Sequence, residues 1–345
     1  CRLVLRPGTG RVLTSNADGF HSMVARGPLL EDCELSRSGD DLLNIHGFFS
    51  LVAARGDGPG SVDLLTQSRS VPPPGSTVRF YDFATLAPKG SGVVAESAGA
   101  EPGPEALAMV DARKLAVIRP LGLARLRFDK PVEAAPGDLA TDDALVCRGT
   151  VIRNSSFHDT ACRAVVLKSF DGRIEGNRID NVATAVAIEN DVHFMEGPFS
   201  SNIAIEKNAI SRSGFTSLLS RQDWTYEIAA ITVVSDGGDG GMNAAASNTG
   251  IRIVGNTIDQ CSSAGILVGN VKGGEVSGNT VKGAGVREPF GLGKRMRLAE
   301  PSYGLVVASS EGIAVRDNRF ADPGPWCKGP MRWYAPVKDV GPQAP

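Results

Sequence analysis

Long apolar runs are missing from this chain. Nowhere do about 18 apolar residues follow one another, the length a bilayer-spanning helix needs, so no membrane span is expected. Aromatic residues make up only 6%, and no segment keeps the Leu/Ala/Glu/Lys content of a helical domain. Neither sign of charge dominates: 36 basic residues against 38 acidic leave a net charge of −2. Without a general field to attract a polyanion, nucleic acid is not an expected partner. The six cysteines (Cys1, Cys33, Cys147, Cys162, Cys261, Cys327) form no C-x-x-C pair, which argues against a zinc site. Each reads best as a small buried hydrophobe, with one or two disulfides left open. A basic n-region followed by an apolar stretch is also lacking at the start. Residue 1 is Cys1 and Cys1–Leu5 already reads as a strand, so the sequence is expected to begin inside a larger protein.

What is abundant is Gly, at 41, and Pro, at 21, which favours many short strands and turns. A repeat orders them: an apolar strand, a polar pair, an Asn, one residue, then another apolar position. It is found around Asn154, Asn177, Asn208, Asn256, Asn279 and Asn318, with a base period of about 23 residues. An Asn in a tight turn tolerates left-handed backbone and bonds to neighbouring peptide groups, so one per coil forms a ladder along a solenoid. The Leu-x-x-Leu-x-Leu signature of leucine-rich repeats is absent, and Ile and Val dominate the strands. The expected fold is all-β: a right-handed parallel β-helix of the pectin-lyase-like kind.

Between residues 61 and 147 the repeat vanishes, and Thr77–Phe83, Ala116–Ile118 and Leu123–Phe128 alternate with Pro/Gly-rich turns. This predicts a small β-barrel or sandwich inserted into the helix. The expected organisation is therefore 1–60 first β-helix segment, 61–147 inserted β-domain, 148–322 second segment and 323–345 a coil or cap.

Two acidic motifs precede the insertion, Asn16-Ala17-Asp18-Gly19-Phe20-His21 and Gly39-Asp40-Asp41 followed by Asn44-Ile45-His46-Gly47. Asp18 and Asp40 lie one coil apart and are expected to stack, with Gly39 supplying a turn or bulge that presents both Asp40 and Asp41. Three carboxyls in one patch repel, raise at least one pKa, and so supply a general acid and a general base. His21 and His46 stand beside them. A calcium loop at Ser235–Gly241 is read instead as a flexible loop, because further acidic ligands are lacking. Trp224 and Tyr226 suit either sugar stacking or loop packing.

These motifs resemble glycoside hydrolase family 110, the exo-acting α-1,3-galactosidases, and more distantly the polygalacturonases. The resemblance extends to Cys162-Arg163-Ala164 and to Phe194-Met195-Glu196-Gly197-Pro198. It implies Asp18, Asp40 and Asp41 as catalytic residues, Asp40 being the acid. His21, Asn44, His46, Arg163 and Glu196 would bind substrate, with no metal or cofactor. The implied reaction is inverting removal of terminal α-linked galactose, or a related sugar, from an oligosaccharide or polysaccharide glycan. A secreted or periplasmic location follows from that substrate, and a homodimer is left open. The alternatives are a non-catalytic β-helix adhesin or carbohydrate-binding protein, and a polygalacturonase-like hydrolase.

Overall fold

The computed structural model describes residues 1–56, 58, 60–67, 69–110, 121–215, 229–236, 242–288, 298 and 302–341. Successive coils stack as parallel strands on three faces. The first face carries Phe20–Met23, Leu43–Phe48, Arg163–Leu167, Thr184–Asn190, Ala229–Ser235, Ala264–Gly269 and Leu305–Arg316, in that spatial order. The second holds Leu29–Glu31, Val151–Arg153, Arg173–Glu175, Ala204–Glu206, Asn248–Val254 and Val271–Ser277, and joins the first through the long strand Leu305–Arg316. The third is a separate eight-stranded sheet running from Arg2–Leu3 to Arg319–Ala321. This is a parallel β-helix. Among the described residues helix is confined to Pro104–Ala108.

Alternation along each strand sends every second side chain inward. Leu30, Ile152, Ile174, Ile205, Ile253 and Val276 stack in the core from the second face, while Leu43, Ile45, Val165, Leu167, Val186 and Ile188 enter from the first. At one corner the asparagines form the expected ladder. The Asn177 amide donates to Asn208 Oδ1 (3.0 Å), Asn208 to Asn256 (2.9 Å), Asn256 to Asn279 (3.0 Å) and Asn279 to Asn318 (2.9 Å).

Asn154 is the exception. Arg153 pairs with Glu175, so Asn154 lies level with Gly176 and Ser155 occupies the rung, its N–H donating to Asn177 Oδ1 at 3.0 Å. The residue before each rung takes left-handed backbone, with φ +51° at Asn154, +63° at Gly176, +65° at Gly255 and +61° at Gly278. Asn fits that position as readily as it fits the rung, which is why the first copy reads one residue out of step.

The insertion is a closed six-stranded antiparallel barrel: Ser50–Arg55, Ser61–Gln67, Thr77–Tyr81, Pro88–Ala100, Leu121–Phe128 and Leu139–Asp142. Its first strand lies ahead of residue 61, because the chain turns into the barrel directly after Phe48. Val52, Leu64, Val78, Phe80, Leu126 and Phe128 fill its interior. Phe49, Leu51, Tyr81, Leu139, Met195 and Phe199 weld it to the β-helix. The expected strand Ala116–Ile118 lies outside the described residues.

The end of the chain differs from the expected coil: Met331–Lys338 is a strand paired in parallel with Leu305–Arg316, covering the last coil as a cap would. All six cysteines are unpaired.

The ladder generates a test. Asn256→Ala removes the acceptor of the buried Asn208 N–H and the donor to the Ile205 carbonyl (2.9 Å). Leaving two buried groups unsatisfied is expected to cost on the order of 3 kcal/mol. Asn318→Ala frees the equivalent Asn279 N–H and Val276 carbonyl, but Asn318 is only half-buried, so water can replace its side chain and the cost should be clearly less. Urea unfolding midpoints compare the two, and equal losses would show that the ladder carries no such load.

Candidate active site

The outer side of the first face positions the polar residues. Phe20 pairs with Leu43 and His21 with Asn44, and the Gly19 N–H donates to the Asp41 carbonyl (2.8 Å). Followed back two residues, that register sets Asp18 beside Asp41, not beside Asp40 as expected. In the next coil Val166 pairs with Asn44 and Leu167 with Ile45, while the Leu42 N–H donates to the Arg163 carbonyl (3.0 Å). Asp18, Asp41 and Arg163 therefore form one column, and His46 and Lys168 stand in a second. The backbone bends at Gly39 and Asp40. A Cβ at Gly39 would lie 2.3 Å from the Asn16 carbonyl oxygen, so glycine is required by the close approach of the preceding coil.

The three aspartates do meet: one carboxylate oxygen from each of Asp18, Asp40 and Asp41 lies within 4.8 Å of the others. Asp41 is 1% exposed and grips Arg163 through both oxygens, with Nε to Oδ1 at 2.8 Å and Nη2 to Oδ2 at 2.6 Å. Asp18 is raised to about 6 by burial first, then by the charges of Asp41 and Asp40. Burial and the Asp41 charge raise Asp40 as well. A carboxylate held by Arg163 thus sits beside two more accessible carboxyls whose ionisation is opposed by burial first and by its charge second.

The histidines continue from this trio. His21 Nδ1 lies 3.4 Å from Asp18 Oδ2, and its Nε2 lies 2.7 Å from His46 Nε2. His46 Nδ1 is 2.7 Å from the Gly47 carbonyl, and burial pushes the ring down to about 4, leaving it neutral at physiological pH.

Glu196 reaches the same place from a later coil. Its short strand pairs antiparallel with Leu43–Phe48, Glu196 opposite Phe48, and the Gln67 amide from the barrel holds the Met195 carbonyl (3.0 Å). Glu196 Oε1 lies 3.4 Å from His46 Nε2, and Oε2 accepts from Lys168 Nζ at 2.6 Å. Burial alone would raise Glu196, but the charge and hydrogen bond of Lys168 outweigh it and hold the carboxyl near 2. Asn44 Oδ1 also faces Lys168 Nζ, at 3.3 Å.

All eight residues singled out from sequence are therefore gathered on one face. Arg163 and Glu196, expected to touch substrate, have polar atoms engaged by Asp41 and Lys168. Two buried residues escaped the sequence reading. Lys168 stands 122 positions after His46, and only excision of the barrel reveals that they are neighbours. Glu189 follows Lys168 in the next coil and is raised to about 8 by burial. Trp224, Tyr226 and Gly237–Gly241 lie outside the described residues.

Compared with known families, residues 145–324 match the one described as "Right handed beta helix region". No curated protein sequence matches. Among solved structures the chain is similar to the tailspike protein gp49 from Pseudomonas phage LKA1, at 10% identity and TM-score 0.37, covering 92% of this chain and 47% of that one. It is similar to the Pseudomonas phage phi297 tailspike gp61 at 12% identity and TM-score 0.26, covering 88% and 54%. The catalytic domain of a GH87 alpha-1,3-glucanase in complex with nigerose aligns at 10% identity and TM-score 0.19, covering 86% and 88%. The chain spans about half the length of the two tailspikes.

The crowding of the carboxyls has a measurable sign. Because Asp40 is raised above its ordinary 3.8 in the folded protein, its contribution to stability is full below 3.8 and is lost as pH rises through the folded value. Asp40→Asn cannot ionise, so its stability relative to wild type should improve from pH 4 to pH 7. Thermal melts at both values test this; a constant offset would show that the trio carries no electrostatic strain.

Proposed function

This chain belongs to the right-handed beta helix family, and we propose that the outer face of its first coils hydrolyses glycosidic bonds, with Asp18 and Asp40 as the reacting carboxyls. One observation carries the reading: two partly accessible carboxyls with raised pKa values stand beside a third locked as an anion on Arg163. A glycosidase needs one carboxyl that still holds a proton for the leaving oxygen and one that is ionised to act on water or on the sugar. Burial first and the Asp41 charge second oppose ionisation of both Asp18 and Asp40, so the pair does not readily lose both protons.

Analogy with the polygalacturonases makes Asp40 the acid. Burial and the neighbouring charges raise both Asp18, to about 6, and Asp40, so either carboxyl can carry the proton. Asp41 positions both. In an inverting reaction the base deprotonates a water bridging it to the anomeric carbon while the acid protonates the leaving oxygen. The trio's oxygens lie within 4.8 Å of one another, closer than the roughly 6.5–9.5 Å usual for inverting pairs, so product stereochemistry is the discriminating measurement.

The choice of sugar rests on the motifs Asp18-Gly19-Phe20-His21, Gly39-Asp40-Asp41 and Asn44-Ile45-His46-Gly47. Their resemblance to family 110 supports a terminal α-linked galactose on a glycan outside the cell. A non-catalytic glycan-binding β-helix is the second reading; it too would use this face, and it predicts no turnover of any glycoside.

Aryl and disaccharide α-galactosides serve as substrates for the test. Asp18→Asn and Asp40→Asn are each expected to lower kcat by at least about 10²–10⁴-fold without loss of the folded state in circular dichroism. Full activity in both variants would end the assignment. Proton NMR of the first-formed product should show the inverted anomer. Retention would replace the bridging water by direct attack of a carboxylate, for which a carboxyl separation of about 5–5.5 Å is usual.

A further inference from the structure

We propose that His21, His46 and Glu196 form a binding site for one divalent transition-metal ion of the zinc class, held by His21 Nε2, His46 Nε2 and Glu196 Oε1. The proposal does not rest on the hydrolase reading. Ligand atoms from the three residues lie within 4.8 Å of one another.

Their chemistry points inward. A carbonyl oxygen only accepts, so the contact of His46 Nδ1 with the Gly47 oxygen (2.7 Å) places the ring proton on Nδ1 and leaves a lone pair on Nε2. That lone pair faces His21 Nε2 at 2.7 Å and Glu196 Oε1 at 3.4 Å. A proton on His21 Nε2 would bridge the two rings, yet it would leave Glu196 Oε1 facing a bare nitrogen with nothing shared between them. A metal ion satisfies all three atoms together once the exposed His21 ring moves its nitrogen from 2.7 Å to roughly the 3.3 Å that two ligands of a tetrahedral ion need.

The outer partners fit as well. Metal-binding imidazoles generally donate their second ring N–H to a carboxylate or a backbone carbonyl, which fixes tautomer and orientation. His21 Nδ1 faces Asp18 Oδ2 at 3.4 Å, and His46 Nδ1 faces the Gly47 carbonyl. Lys168 takes only the other oxygen of Glu196. Four carboxyl groups (Asp18, Asp40, Asp41, Glu196) stand against two cationic side chains (Arg163, Lys168), so the local charge does not repel a dication. Two imidazoles and one carboxylate suit zinc, cobalt or nickel and disfavour calcium or magnesium, which take oxygen ligands. This departs from the metal-free site expected from the sequence, where Glu196 lies 150 residues or more from the histidines and shares no ligand spacing with them.

The experiment uses the untagged full chain, stripped with chelator, and cobalt(II) and zinc(II) as probes, with no substrate present. Calorimetry should give one equivalent per chain, with visible cobalt(II) absorption that zinc abolishes and excess magnesium does not. Glu196→Gln and His46→Ala should each weaken binding at least tenfold, and Asp40→Asn should leave it within about twofold. If His46→Ala fails to fold, His21→Ala, at a 40%-exposed side chain, takes its place. Failure of the wild-type chain to bind, or binding unchanged in these ligand variants, would overturn the proposal. Since binding is read without turnover, its failure and that of the hydrolase reading remain separate results.

Discussion

Everything at this site depends on register. Backbone hydrogen bonding holds successive coils about 4.8 Å apart, and the pairing of Phe20 with Leu43 and of Asn44 with Val166 decides which side chains share a column. A slip of one residue would turn His21, Asn44 and His46 into the core and expose Leu43 and Ile45. The packed interior forbids that slip, since Leu43, Ile45, Val165 and Leu167 are fully buried. Hydrophobic order inside the solenoid thereby fixes polar geometry outside it. The energy that keeps four carboxyls near one another comes from the core and not from their mutual attraction.

Much of this was legible in the sequence, for a physical reason. A solenoid turns sequence distance into spatial distance at a constant rate, so the repeat of about 23 residues revealed the ladder and placed Asp18 within reach of Asp40 and Asp41. The reading failed where one local chemistry serves two positions. Asn154 sits in the left-handed turn residue while Ser155 takes the rung, because Asn satisfies either demand. The stacking partner of Asp18 was missed by a single residue, which matters: the residue beneath it is the carboxyl paired with Arg163.

Other features were hidden because the constant rate breaks down. The barrel separates His46 from Lys168, so no local pattern announces that a buried ammonium stands next to a buried imidazole. Glu196 arrives by a different device, a two-residue antiparallel strand laid along Leu43–Phe48 and anchored by Gln67 of the barrel. The inserted domain is thus part of the site's scaffold. Its amide fixes the backbone beside Glu196, and its apolar seam through Phe49, Tyr81 and Phe199 closes the space behind.

The barrel's position also bears on how the chain finds its fold. It interrupts a single coil, between Phe48 on the first face and Val151 on the second. Joining those ends across a flexible loop of about 100 residues would cost roughly 4 kcal/mol in chain entropy. The folded barrel keeps those ends side by side, pairing Ser50 with Ala140 and Leu51 with Leu139, so the long excursion enters the coil as a short connection. The apolar interior of the barrel thereby offsets the entropy of that closure, and the acidic and imidazole groups of the coil carry none of it.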